Sequence, residues 1–254
     1  MESKIALCFL TYGNLSQPKL WENFIDSKYN VYIHNKNDFT GDFKKYCIED
    51  RIETQWGKIS LVKATLKLFK TAFKNKENKY FVLLSDKCIP LYSPDKLFEK
   101  IKNLDNNLIM SRKVKHRKRF KKLKDKKFFK KKKFTKQHQW MLLKRKTVKF
   151  FINNDYTDVF GDRFFAPDEH YFINIMRKYN IPYIKKQITY VNWKEESDLK
   201  THKTHKKHPK TYSNLSNEIV ENILKKQTLF MRKVDSECKL PIYFDKIINK
   251  NIKE

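Results

Sequence analysis

Along residues 1–101, short uninterrupted apolar runs alternate with longer stretches in which apolar residues recur every third or fourth position. IALCFLTY, from Ile5 to Tyr12, reads as a buried strand that turns at Gly13-Asn14. A short helix is expected from about Pro18 to Ser27, because proline suits a first helical turn. NVYIH, from Asn30 to His34, is a second strand. ISLVKATLKLFKTAF predicts a helix over Ile59 to Phe73, with Leu61, Val62, Thr65, Leu66, Phe69 and Phe73 on one face. KYFVLLSD, from Lys79 to Asp86, is a third buried strand. SPDKLFEKI then opens a helix with Ser93 as its cap and Pro94 in its first position. This alternation is the signature of an α/β domain with a mainly parallel sheet. Such sheets bind ligands beyond the carboxyl ends of their strands, here Thr11-Tyr12, His34-Asn35 and Ser85-Asp86.

The second half is less regular. Residues 113–136 hold fifteen Lys or Arg and one acid, Asp125. Like charges repel and extend a chain, so a mobile, solvated loop is expected there, with an electrostatic funnel for an anionic substrate or polynucleotide as the alternative. QWMLLKR (Gln139 to Arg145) resumes an apolar run. PDEHYFINIMRKY (Pro167 to Tyr179) reads as one helix, with acids in its first turn and bases in its last to match the macrodipole. TYVNW (Thr189 to Trp193) is a strand, and SNEIVENILKKQ (Ser216 to Gln227) a helix with a serine cap. No repeat or linker divides the sequence, so residues 1–254 are expected to form a single domain with the 113–136 loop inside it.

Composition changes this picture in two ways. A net charge of +29 predicts attraction to polyanions, although a sequence with only 4 glycines and abundant Lys, Asn, Ile and Phe also fits an AT-rich genome. The four cysteines, Cys8, Cys47, Cys88 and Cys238, show no close spacing, which suggests free thiols in a reducing compartment. No apolar stretch is long enough to span a membrane, and Ile5 to Leu10 is too short for a signal-peptide core. A soluble protein of cytoplasmic or viral setting is the expectation.

Three places could carry chemistry. Asp168-Glu169, at a helix start, could supply a general base, or could simply be an ordinary helix N-terminus. Arg232-Lys233 follows an apolar run and could neutralise a phosphate-bearing leaving group, or could be solvated surface charge. No Asp-x-Asp occurs, so a common metal-binding carboxylate pair is missing. His202, His205 and His208 have metal-like spacing, but they sit among lysines without an acidic neighbour, and no metal is expected. Trp56, Trp140 and Trp193 could stack on a base or sugar, or could belong to the core.

Read in order, these segments resemble the core-2/I-branching β-1,6-N-acetylglucosaminyltransferase family and its plant relatives, glycosyltransferase family 14. KIALCFLTYGNL and YNVYIH resemble the first two strands of the family, and TQWGKISLVKATLKLFKTAF its Trp-containing helix region. KYFVLLSDKCIPLYS resembles the Leu-Ser-Gly-x-x-Ile-Pro-Leu block, HQWMLLKRK the Gln-Trp segment and APDEHYF the Pro-Asp-Glu block. TYVNW, HPKTY and LFMRKV resemble the closing blocks. The likeness covers about residues 4 to 234. Three departures stand out. Asn35-Lys36 occupies positions where many relatives carry an acid, Asp86 replaces the usual Gly, and the membrane anchor and disulfides of secreted relatives are not expected here.

The resemblance implies a GT-A-like fold without the metal motif and an inverting, metal-independent transfer from a UDP-sugar to a glycan or glycoprotein hydroxyl. N-acetylglucosamine and xylose are the leading donor sugars. By the same resemblance Glu169 is the base, and Lys233 with Arg232 holds the diphosphate. Thr11, His34, Ser85 and Asp86 lie near the nucleoside end, and Trp56 and Trp140 line the donor pocket. Lys207 and Lys210 are candidates for a second diphosphate cation. The rival readings are a basic nucleic-acid-binding protein and an inactive, glycosyltransferase-like scaffold. Nothing in the sequence indicates a specific nucleic-acid partner, because it contains no RNP-like block and no zinc spacing.

Overall fold

The computed structural model describes residues 3–113, 119–161, 163–193 and 208–245. The apolar runs form the expected strands β1 (Lys4–Thr11), β2 (Tyr29–Asn35) and β3 (Asn78–Ser85), with helix α1 (Pro18–Phe24) between the first two. Helix α2 (Ser60–Phe73) precedes β3, and β3 is followed by the short strand β4 (Ile89–Pro90) and helix α3 (Pro94–Ile101). Pro94 occupies the first turn of α3, but Ser93 makes no side-chain cap bond and contributes only its backbone carbonyl, to Leu97. The buried face of α2 is Val62, Ala64, Thr65, Leu68, Phe69 and Ala72. Leu61, Leu66 and Phe73 are half-buried, so the helix is rotated slightly from the face its larger residues suggest.

Strand β5 (Asn107–Lys113) and strand β6 (Thr135–Lys144) flank the Lys-rich stretch. They pair antiparallel, with a register shift between Ile109 and Ser111. Helix α4 (Arg145–Asn153) follows β6 and packs with α2 against β3. After it come helix α5 (Tyr171–Lys178) and strands β7 (Tyr183–Ile184), β8 (Thr189–Val191) and β9 (Tyr212–Asn214). Helix α6 (Asn217–Leu224), β10 (Phe230–Arg232) and β11 (Val234–Lys239) complete the described chain. The serine cap of α6 forms as expected, with Ser216 accepting a bond from the Ile219 amide.

The main sheet has the order β2-β1-β3-β6-β5-β7. Its β2-β1-β3 half and the β5–β7 pair are parallel, and β6 runs antiparallel to both of its neighbours. The sheet is therefore mixed, with a parallel half where the ligand-binding ends were expected. A second sheet, β4-β10-β8, brings Arg232 beside the end of β3. Trp21 ties the two sheets together: it lies edge-on to Phe9, stacks with Phe230 and donates its indole N–H to the Cys88 carbonyl.

Two expectations are corrected. The predicted helix over 167–179 is interrupted: Pro167–Glu169 is a separate 3-10 turn, and α5 begins only after His170. The break follows from Ala166, which adopts left-handed backbone (φ 54°), and from His170, whose φ of −138° is incompatible with a continuous helix. The described part of the Lys-rich stretch is also not wholly solvated. Its lysines are mostly exposed, but Phe120, Leu123, Phe129 and Phe134 are buried. Aromatic burial of this kind outweighs the self-repulsion of exposed lysines, which water and salt screen.

Candidate active site

Glu169 is placed by backbone geometry. The Ala166 amide donates to the Gly57 carbonyl (2.8 Å), which fixes the left-handed turn that carries Pro167–Glu169. Gly57 itself has φ +73°, and a Cβ there would lie 2.7 Å from the Phe165 ring, so a side chain is excluded on both counts. The carboxylate is gripped on one side: Arg119 Nη1 and Lys136 Nζ each lie 2.7 Å from Oε2. No described residue donates a hydrogen bond to Oε1. Burial alone would raise the Glu169 pKa, but the bonds from Lys136 and Arg119 outweigh it and hold the carboxyl below its usual value.

Arg119 is itself positioned by His170. The His170 ring is fully buried, stacked on Phe134 at 5.0 Å, and its Nδ1 faces the Thr135 carbonyl at 2.9 Å. A carbonyl only accepts, so Nδ1 carries the proton and Nε2 accepts from Arg119 Nη1 at 3.2 Å. Burial lowers the His170 pKa to about 4, consistent with a neutral ring. Asp168, next to the base, makes no pair with Arg119 or Lys136. Its Oδ1 is buried without a partner, and burial together with the charge of Glu169 raises its pKa to about 7.

A second cluster forms where β10 meets the end of β3. The Arg232 guanidinium lies over the Trp140 ring, 4.5 Å from its centroid. Asp86 is close enough for its charge to act on Arg232, and burial raises its pKa against the pull of Arg232 and Lys87. Lys233 makes no ion pair among the described residues. Burial, together with the positive charges of Arg232 and Lys87, lowers its pKa to about 8. Lys87 pairs with Asp235 at 3.3 Å. The excess of cations here suits an anion.

The remaining expected residues divide between these regions. Thr11 is buried at the end of β1, with its hydroxyl unpartnered. Ser85 is buried against the Cys88 thiol at 3.3 Å. His34 is fully buried; its Nε2 accepts the Ile52 amide at 2.9 Å, and its Nδ1 has no partner among the described residues. Beyond it, a cavity of about 650 Å³ is lined by Asn35, Lys36, Asp38, Arg51 and Ile52, among others. Trp140 is buried, with Arg232 over one face of its ring. Trp56 is 77% exposed and packs edge-on against Phe165, on the Glu169 side. Lys210 lies next to Lys233, joined through backbone atoms at 3.5 Å. Lys207, His202 and His205 fall outside the described residues, and Trp193 is exposed. Among the described residues no cluster of His, Cys, Asp and Glu is arranged to hold a metal ion, and no helix is long and apolar enough to cross a membrane.

Sequence reasoning missed Arg119, Lys136 and His170. The two cations are hidden within a run of fifteen, and only the folding back of β6 reveals which of them meet Glu169. His170 adjoins the proposed base in sequence, the one signal that pointed to it.

Comparison with known proteins identifies a family. The profile of the Core-2/I-Branching enzyme family matches residues 5–227, a stretch that contains Glu169 and ends before Arg232 and Lys233. Glycosyltransferase BC10 of Oryza sativa subsp. japonica is 22% identical over 121 residues, which cover 43% of this chain and 30% of that protein. The helix-flanked sheet with its parallel half fits a GT-A-like fold. With the match spanning most of its length, the chain belongs to the Core-2/I-branching enzyme family.

Proposed function

We propose that this member of a glycosyltransferase family is an inverting, metal-independent enzyme that moves a sugar from a UDP-sugar to a glycan or glycoprotein hydroxyl. The observation that carries this reading is the one-sided grip on Glu169: both cations hold Oε2, and Oε1 is left without a donor. A carboxylate held ionised with one free oxygen suits a general base. Oε1 takes the proton of the acceptor hydroxyl as the acceptor oxygen bonds to the anomeric carbon. The bond from that carbon to UDP breaks on the opposite face, and its electron pair leaves with the diphosphate. Lys233 and Arg232 neutralise the charge that develops there, the role a metal plays where an Asp-x-Asp is present.

β6 links the two halves. Lys136, which grips Glu169, and Trp140, which carries Arg232, lie four residues apart on this strand, so their Cα atoms are separated by no more than ~14 Å. That is a span a nucleotide sugar can bridge. The cavity beyond β2 would receive the nucleoside, and N-acetylglucosamine or xylose is the sugar favoured by resemblance.

Thermal unfolding with UDP tests the donor half. At about 100 times its dissociation constant, a ligand that binds only the native state adds ~2.7 kcal/mol of stability. A midpoint raised by UDP, not by AMP, and unchanged by EDTA supports the reading. Equal shifts with every polyanion would contradict it.

A further inference from the structure

A cavity of about 830 Å³ opens beside the Lys-rich stretch, lined by Lys121, Lys122, Lys124, Lys126 and Arg163 over a floor that includes Leu123 and Phe160. In a chain with 57 basic residues a cluster of lysines alone means little. This one is built. The Val159 carbonyl accepts the amides of both Lys124 and Asp125, which clamps one wall to the other. Gly161 has φ +62°, and a Cβ there would lie 3.0 Å from the Lys124 Cβ, so the walls meet at a glycine contact. Asp125, the one acid of the stretch, uses Oδ1 to accept the Lys127 and Phe128 amides. Among the described residues none of the five lining cations takes part in an ion pair, and the described lining residues include no acid.

Both walls lead to the proposed base. Lys121 lies two residues from Arg119, which is bound to Glu169, so their Cα atoms are within ~7 Å. The other wall runs from Arg163 through Phe164 and Phe165 to the Pro167–Glu169 turn. The cavity and the proposed base are thus joined by short lengths of chain, two residues from Lys121 to Arg119 and six from Arg163 to Glu169. The apolar floor beneath the cations, which includes Leu123 and Phe160, suits a compact oxyanion on a sugar ring, whose apolar face can rest on it, better than a long, uniformly charged backbone.

We propose that this cavity binds a sulfate or phosphate group on the acceptor glycan, so that the enzyme selects anionic acceptors. The inference rests on the glycosyltransferase reading for its word acceptor, but the binding site can be tested without turnover.

The test uses the full chain at about 0.15 M salt, where exposed charges are screened beyond ~8 Å. The probes are a sulfated oligosaccharide, a phosphorylated one of equal length, their uncharged counterparts, and a single-stranded oligonucleotide of equal charge. One variant converts Lys121, Lys122, Lys124 and Lys126 to Gln. A control makes the same charge change at the exposed Lys70, Lys74, Lys76 and Lys79, near the amino end of β3. UDP affinity is measured on every protein. At least tenfold weaker binding of a charged oligosaccharide in the cavity variant, with the control unchanged, is the expected result. Comparing the sulfated and phosphorylated arms tells which group is preferred. Equal loss in both variants, or an oligonucleotide bound as tightly and lost in parallel, would overturn the site. Cavity-dependent glycan binding without any UDP binding would uphold the site and overturn the donor reading instead.

Discussion

Arg119 and Lys136 bind the same oxygen of Glu169, each at 2.7 Å, and they arrive from opposite ends of the Lys-rich connection between β5 and β6. The stretch that reads as featureless charge therefore delivers both counterions of the proposed base. This arrangement holds the Glu169 carboxyl below its usual pKa and leaves Oε1 without a donor among the described residues.

Replacing Arg119 with Ala removes one of the two cations that depress the Glu169 pKa. The Glu169 pKa should then rise, and the acid limb of the pH–rate profile should move to higher pH. The sign follows from the active form being the carboxylate, which is lost as pH falls through the folded-state pKa. The pair also contributes stability above the ordinary carboxylate range, which fades as pH falls through the depressed value. An acid limb in the same place as in the parent protein would show that Arg119 does not act on the base.

Lys233→Ala should weaken UDP binding about 10- to 100-fold, the scale of a lost charge-assisted bond of ~1.5–3 kcal/mol. Because the Lys233 pKa is lowered to about 8, part of the free protein lacks this proton at pH 8.5, and an arriving diphosphate restores it. UDP affinity should fall as pH rises through this value, with proton uptake visible by calorimetry in buffers of different ionisation heat. Lys233→Arg should flatten the pH dependence. Unchanged UDP affinity in Lys233→Ala would remove this residue from the diphosphate site.

Gly57→Ala forces a Cβ onto Phe165 and a side chain into left-handed backbone. A loss of ~1–3 kcal/mol is expected, seen as a midpoint lowered by a few degrees. Because the Gly57 carbonyl anchors Ala166, turnover should fall further than stability alone explains. A variant with parental stability and rate would show that the Pro167–Glu169 turn does not depend on this contact.

Trp140→Ala should cost about 3–5 kcal/mol, as for other buried aromatics, and should free the Arg232 guanidinium from its platform. Trp140→Phe, which keeps a ring beneath Arg232, should retain most UDP affinity. Equal loss of UDP affinity in the two variants would argue that the cation does not rely on the ring.

The parallel half of the fold was legible in the sequence because β1, β2 and β3 are continuous apolar runs, and their ends mark Thr11, Asn35 and Ser85 directly. Ser216 announced its helix through ordinary cap chemistry. The antiparallel β5–β6 pair was harder to see. Its partners lie on either side of the Lys-rich stretch, and pairing across such a gap leaves no local pattern. The break at His170 was hidden for a related reason. PDEHYFINIMRKY has continuous helical periodicity, and only the long-range Ala166–Gly57 bond sets the turn apart. Local sequence also could not tell Trp140, buried beneath Arg232, from Trp56, exposed beside Phe165, because each fits a core or a stacking position.

The most direct measurement is UDP release by Glu169→Gln, across a panel of UDP-sugars and glycan acceptors, alongside its UDP affinity. Gln preserves the size of the side chain and removes its ability to take a proton. The expected result is acceptor-dependent turnover reduced by at least 100-fold, the scale of a general base, with UDP affinity largely intact. Turnover equal to the parent's would show that Glu169 is not the base.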